Sequence, residues 1–142
     1  MLIKLNKMEE KELTAFYGGE GALCAKLYTD GKNKILRGRL APGSTIGAHT
    51  HETSAEMIFI LSGAGKSICD GKEEILSVGD CHYCPKGSEH CLINTGAEDL
   101  LFYAVVPQQE GKNKRTAKPS FFYARISGLF SKNPPVPHLD EG

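Results

Sequence analysis

The chain has 142 residues and a mass of 15.4 kDa, which allows one domain, or one domain with a tail. Its 17 lysines and arginines balance 17 aspartates and glutamates, so it lacks the excess positive charge that nucleic acid or a polybasic membrane patch requires. The longest apolar run, residues 100–106, is seven residues long, well short of the ~20 that span a bilayer.

From the start, Met1-Leu-Ile-Lys passes directly into the charged stretch at 7–12, so no secretory signal is expected. Helical periodicity is scarce after that. Short apolar stretches recur instead, each closed by turn chemistry. Residues 22–28 precede Asp30-Gly31, 35–40 precede Pro42-Gly43, and 56–61 run up to Gly63. Residues 67–69 meet Asp70-Gly71, 75–78 meet Gly79, and 81–84 meet Pro85-Lys-Gly87. Residues 90–93 precede Asn94-Thr-Gly96, and 100–106 precede Pro107. Short strands at nearly regular spacing with Asp-Gly and Pro-x-Gly turns predict an all-β sandwich or barrel. Beyond it, 107–118 is polar and reads as a linker, 120–130 is apolar enough to dock as one short helix, and 133–142 is a Pro-rich polar end.

Five cysteines and no export signal favour free thiols in a reducing, cytoplasmic compartment. Cys81 and Cys84 form a C-x-x-C, but Pro85 makes this the end of a strand, where residues three apart face opposite sides. No second C-x-x-C completes a four-thiolate site, so both cysteines read as small buried hydrophobes.

The chemistry lies between Gly43 and Asn94. His49 and His51 are two apart, so on a strand both imidazoles share one face. Glu56 follows the polar Glu52-Thr-Ser, and His90 follows the Pro-x-Gly turn. Three imidazoles and a carboxylate on one barrel suit a divalent transition metal. Taken alone, the His-x-His pair would read as ordinary surface groups.

Spacing decides against that reading. Gly43, His49, His51, Glu56 and Gly63 fit G-x5-H-x-H-x4-E-x6-G; Gly79, Pro85, Gly87, His90 and Asn94 fit G-x5-P-x-G-x2-H-x3-N. Ten specified positions at about one in twenty each put chance agreement on the order of 10⁻¹³ per frame. The chain thus resembles the cupin superfamily, in its small single-domain, metal-binding form. The resemblance implies an antiparallel jelly-roll barrel, the double-stranded β-helix, and extends loosely over residues 35–106; with the N-terminal strands the domain is expected over 1–106, with 107–142 as a C-terminal extension. It carries metal-ligand roles onto His49, His51, Glu56 and His90, puts the glycines and Pro85 at turns, and leaves Asn94 structural.

One divalent ion per chain is implied, with manganese, iron, nickel, zinc and copper left open. Four protein ligands leave one or two positions free on a five- or six-coordinate ion, as catalysis or ligand capture needs. Two functions follow. One is a metal-dependent enzyme acting on a small oxygen-rich metabolite, of dioxygenase, decarboxylase, isomerase or lyase type. The other is a non-catalytic metal-assisted module that binds or senses such a molecule. His82, Tyr83 and Tyr103 are candidate proton-transfer groups, with packing the stronger expectation for each. On 56–61, Glu56, Ile58 and Ile60 share the inner face while Met57, Phe59 and Leu61 leave the outer face apolar too. A strand without a polar side needs cover on both, so a homodimer is expected, or a cover supplied by 121–130.

Overall fold

The computed structural model describes residues 1–110, and the expected docking segment and Pro-rich end lie outside the described residues. Ten strands run in chain order: β1 (Lys11–Thr14), β2 (Ala22–Thr29), β3 (Asn33–Leu40), β4 (Thr45–Thr50), β5 (Glu56–Ser62), β6 (Gly65–Cys69), β7 (Lys72–Leu76), β8 (Cys81–Cys84), β9 (Glu89–Asn94) and β10 (Leu100–Pro107). They form two antiparallel sheets, ordered β1-β2-β3-β10-β5-β8 and β4-β9-β6-β7. This is the all-β architecture that the turn spacing predicts, in the jelly-roll form that the resemblance implies. β10 continues through Pro107, and backbone bonds from Gln108 to Lys32 and from Gln109 to Thr53 carry the pairing to the start of the expected linker.

Alternation of side chains supplies the core. Leu23, Leu40, Ile58, Ile60, Leu92, Leu100 and Phe102 are each at most 2% exposed and pack between the sheets. β5 buries Glu56, Ile58 and Ile60, as expected from their shared face. The turns follow their chemistry as well. Asp70 and Gly71 both have positive φ, 49° and 81°, and close the β6–β7 hairpin in the two-residue form that Asp-Gly favours. The motif glycines 43, 63, 79 and 87 all sit at φ between 77° and 92°, where a Cβ is strained.

Asn94 is structural, as expected. Buried at 2% exposure, its amide donates to the carbonyls of Leu40 and Glu98 and accepts from the N–H of Gly96. It therefore ties the end of β9 to β3 in the other sheet. The outer face of β5 and β8 exposes Phe59, Leu61 and Tyr83.

Gly38 in β3 leaves room for a core ring, since a Cβ there would lie 2.2 Å from the ring of Phe102. Gly38→Ala should cost about 1–3 kcal/mol by overpacking, measured by denaturant unfolding. Adding Phe102→Leu should recover part of the loss if the ring is the obstacle, and strict additivity of the two costs would show that it is not.

Candidate metal centre

Four side chains from both sheets converge inside the barrel. His49 lies on β4, His51 just past its end, Glu56 at the start of β5 and His90 on β9. His49 and His90 are direct cross-strand partners. They meet through a bulge: Ile46 pairs with Leu92 and His49 with His90, so β4 spends one extra residue over the interval. Ile46 and His49 are three apart and would point to opposite faces of a regular strand, yet both point inward. His51 is held by the Pro-x-Gly turn, whose Gly87 N–H donates to the His51 carbonyl at 2.7 Å while the His51 N–H donates to Ser88 at 3.1 Å. The second motif thus fixes the backbone of a donor from the first.

The ligand atoms lie within 4.8 Å of one another. His51 Nε2 is 3.1 Å from His49 Nε2, 2.9 Å from His90 Nε2 and 2.8 Å from Glu56 Oε2. His90 Nε2 is also 2.8 Å from that oxygen, and His49 Nε2 is 3.9 Å from it. Two donors at right angles on one ion, each about 2.1 Å away, would lie about 3 Å apart. The δ nitrogens are engaged elsewhere. His49 Nδ1–H donates to the carbonyl of Gly47 at 2.8 Å, which leaves its Nε2 a bare lone pair. His51 Nδ1 bonds Ser54 Oγ at 3.0 Å, and His90 Nδ1 bonds His82 Nε2 at 2.8 Å. One proton can serve only some of these ε contacts, whereas one cation serves all four. The donor set fits a divalent transition ion.

Burial alone would push the Glu56 carboxyl up, since Glu56 is only 7% exposed. The close polar surroundings of His49, His51 and His90 instead hold it well below the usual carboxylate range. Burial keeps His90 below the usual histidine value, against the pull of Glu56. Both groups therefore favour the states that ligate metal: carboxylate and neutral imidazole.

A cavity of about 70 Å³ opens onto the cluster. Its walls are mainly apolar, with Leu23, Leu36, Ile46, Phe102 and Val106, and Lys34 stands beside them. Tyr17 stacks on His49 with ring centroids 4.1 Å apart and planes 11° from parallel. Nothing in the sequence pattern singles Tyr17 out. None of the three expected proton-transfer candidates lines this cavity. His82 is buried behind His90, Tyr83 is exposed on the outer face, and Tyr103 pairs with Phe59 on that same face. Sequence reasoning also passed over Ser54 and Glu74, which bond the far sides of His51 and His82. The C-x-x-C lies on a strand with its cysteines on opposite faces, which leaves Cys84 buried as expected but Cys81 exposed rather than buried; all five thiols are free. Burial pushes the Cys84 thiol up to about 12, which makes it inert.

Comparison with known proteins agrees with this geometry. The family model described as the cupin domain matches residues 36–106. An oxalate-binding protein from Thermotoga maritima is 31% identical over 112 residues, 75% of this chain and 93% of that protein. A solved Thermotoga maritima structure described as a predicted oxalate decarboxylase superposes with a TM-score of 0.72 at 29% identity, over 76% of this chain and 99% of its own. A sugar phosphate isomerase of the cupin superfamily from Silicibacter pomeroyi shares the fold alone, with a TM-score of 0.64 at 20% identity, covering 77% of this chain and 76% of that one.

The two pKa shifts carry one sign. His90 and Glu56 titrate lower in the folded chain, so the unfolded state binds more protons. Their stabilisation is present above the ordinary values, 6.5 and 4.5, and is lost as pH falls, first through His90 and then through Glu56. Thermal unfolding of metal-stripped protein should shift to lower temperature from pH 6.5 downward. His90→Gln should flatten the upper part of that profile, and a wild-type profile already flat down to pH 4.5 would contradict the assignment.

Proposed function

The chain belongs to the cupin family, and from that premise we propose that it is a metal-dependent enzyme acting on a small, oxygen-rich metabolite. His49, His51, Glu56 and His90 hold one divalent transition ion per chain in this reading, with manganese, iron, nickel, zinc and copper all compatible. The observation that carries it is the convergence of three ε nitrogens and one carboxylate oxygen at the inner end of a cavity. A divalent ion there supplies Lewis acidity to a carboxylate or carbonyl oxygen.

The chain's own residues set what reaches that point. The apolar walls exclude water and strengthen electrostatics inside. Lys34 places a positive charge at the rim, suited to an anionic ligand. Tyr17 offers a phenol beside His49, the one neutral proton carrier among the described lining residues that this reading does not make a metal ligand. The likeness to an oxalate-binding protein supports a short dicarboxylate as the ligand class. The five free thiols support a reducing, cytoplasmic setting.

A second reading, a non-catalytic binding module, is favoured by one observation: His82, Tyr83 and Tyr103 all lie off the cavity. Elemental analysis of untagged protein should give one ion per chain and sharply less in His90→Ala; equal metal content in both would overturn the site. Apo-protein reloaded separately with iron(II), manganese, nickel and zinc and incubated with oxalate separates the two readings. Metal-dependent loss of oxalate, slowed by Tyr17→Phe, establishes the enzyme. Oxalate retained unchanged at one equivalent per chain under every metal establishes the binding module.

The assembly in this reading is a homodimer that covers Phe59, Leu61 and Tyr83, whose exposure would otherwise leave an apolar patch in water. Light scattering at tens of micromolar should give twice the chain mass of 15.4 kDa, and Phe59→Glu should return the monomer. A wild-type mass of 15.4 kDa overturns it.

A further inference from the structure

We propose that Glu74 and His82 form a charged outer shell that orients His90 and strengthens it as a metal donor. Behind the cluster, His82 stacks on His90 at 5.1 Å between ring centroids and 22° between planes. Its Nε2 lies 2.8 Å from His90 Nδ1, and its Nδ1 lies 2.6 Å from Glu74 Oε2. A carboxylate only accepts, so His82 Nδ1–H donates to Glu74. Neutral His82 then presents an Nε2 lone pair, and His90 Nδ1–H donates into it. That tautomer leaves His90 Nε2 bare and aimed at Glu56 and His51. The buried Ser67 hydroxyl, 3.2 Å from His82 Nε2, holds the same ring from the side.

The three imidazoles are supported unequally. His49 leans on a backbone carbonyl and His51 on a serine hydroxyl, both neutral. On the δ-nitrogen side, His90 alone among them is linked to a full negative charge, through a second imidazole whose side chain is wholly buried. A carboxylate relayed to the far nitrogen raises the basicity of the near one, as outer-shell carboxylates do for metal-bound histidines. The path also leads away from the cavity. Cavity residues come from the turn at 16–18, from β2, β3, β4, β5 and β10 and from the segment after β4, whereas Ser67, Glu74 and His82 lie on β6, β7 and β8, at the other end of the sheet order. Glu74 reaches solvent with 37% of its side chain exposed. Glu74 and His82 are thus positioning residues for the ion, leaving the cavity side free for a ligand.

This inference rests on the metal reading, and its test separates the two. Glu74→Gln keeps an oxygen that can accept from His82 Nδ1–H and removes only the charge, at a partly exposed position that should leave folding intact. Affinity for zinc(II), by competition with a chromophoric chelator, should fall about tenfold in Glu74→Gln and about 10–100-fold in His82→Leu. The visible spectrum of the cobalt(II) form should shift in Glu74→Gln, which a loss of stability alone would not produce. The apo-protein melting temperature should match wild type in Glu74→Gln, so an unfolded His82→Leu would still leave a decisive variant. Zinc affinity in Glu74→Gln within twofold of wild type overturns the inference while the metal site stands. A wild type that binds no zinc(II), manganese(II) or cobalt(II) overturns both.

Discussion

A carboxylate sealed inside a barrel with three imidazole nitrogens, each 2.8–3.9 Å from one of its oxygens, is costly unless charge is balanced there. Much of the chain's local architecture answers that constraint. The four donors come from three strands and the segment after β4, in both sheets, so no single element could assemble them. The bulge in β4 turns His49 inward, the turn at 85–88 clamps the backbone of His51, and Asn94 locks β9 to the opposite sheet. The apolar core alone would allow each of these segments to shift by a fraction of an ångström. Donor spacing near 3 Å leaves no such tolerance, which accounts for so many backbone devices within one short region.

The strands were legible because their turns carry Gly, Asp-Gly and Pro-x-Gly at positions that need special dihedrals. The four donors were legible because two spacing patterns intersect on them. β1 was not: Lys11, Glu12, Leu13 and Thr14 are all exposed, so no burial alternation marks the strand, and pairing with β2 alone defines it. The bulge was invisible for a related reason. Period-two logic correctly puts His49 and His51 on one face, but cannot show that Ile46, three residues before His49, shares it. Placing His82 and Cys84 together on one face of β8 followed from parity. That this face is the inner one, and that His82 stands behind His90, depends on which edge strands meet across the barrel.

Glu74 shows where reading the chain runs out. In Lys72-Glu73-Glu74 it looks like part of a solvated charge run. Its inward orientation follows from strand register, since Glu74 pairs with the fully buried Ser67 while Glu73 and Ile75 face out. Nothing local distinguishes the inward glutamate from the outward one.

Tyr17 extends the same lesson to the cavity. It sits at φ 52°, with Ala15 at 51° and Gly18 at 77°, in the short turn Phe16–Gly18. A bulky residue in that region costs about 1–3 kcal/mol and persists only where its surroundings over-determine it. The surroundings here are close: a Cβ on Gly47 would lie 2.1 Å from the Tyr17 carbonyl oxygen, and one on Gly19 would lie 2.4 Å from that of Thr45. The bulge that turns His49 inward is therefore also the floor on which this strained turn rests. The donor set is written in the two motifs, but Phe16, Tyr17, Lys34 and Leu36, which also line the cavity, lie outside both. Chains that share the donor set can thus differ in what they admit, and differences at these four positions carry more information about the ligand than the motifs do.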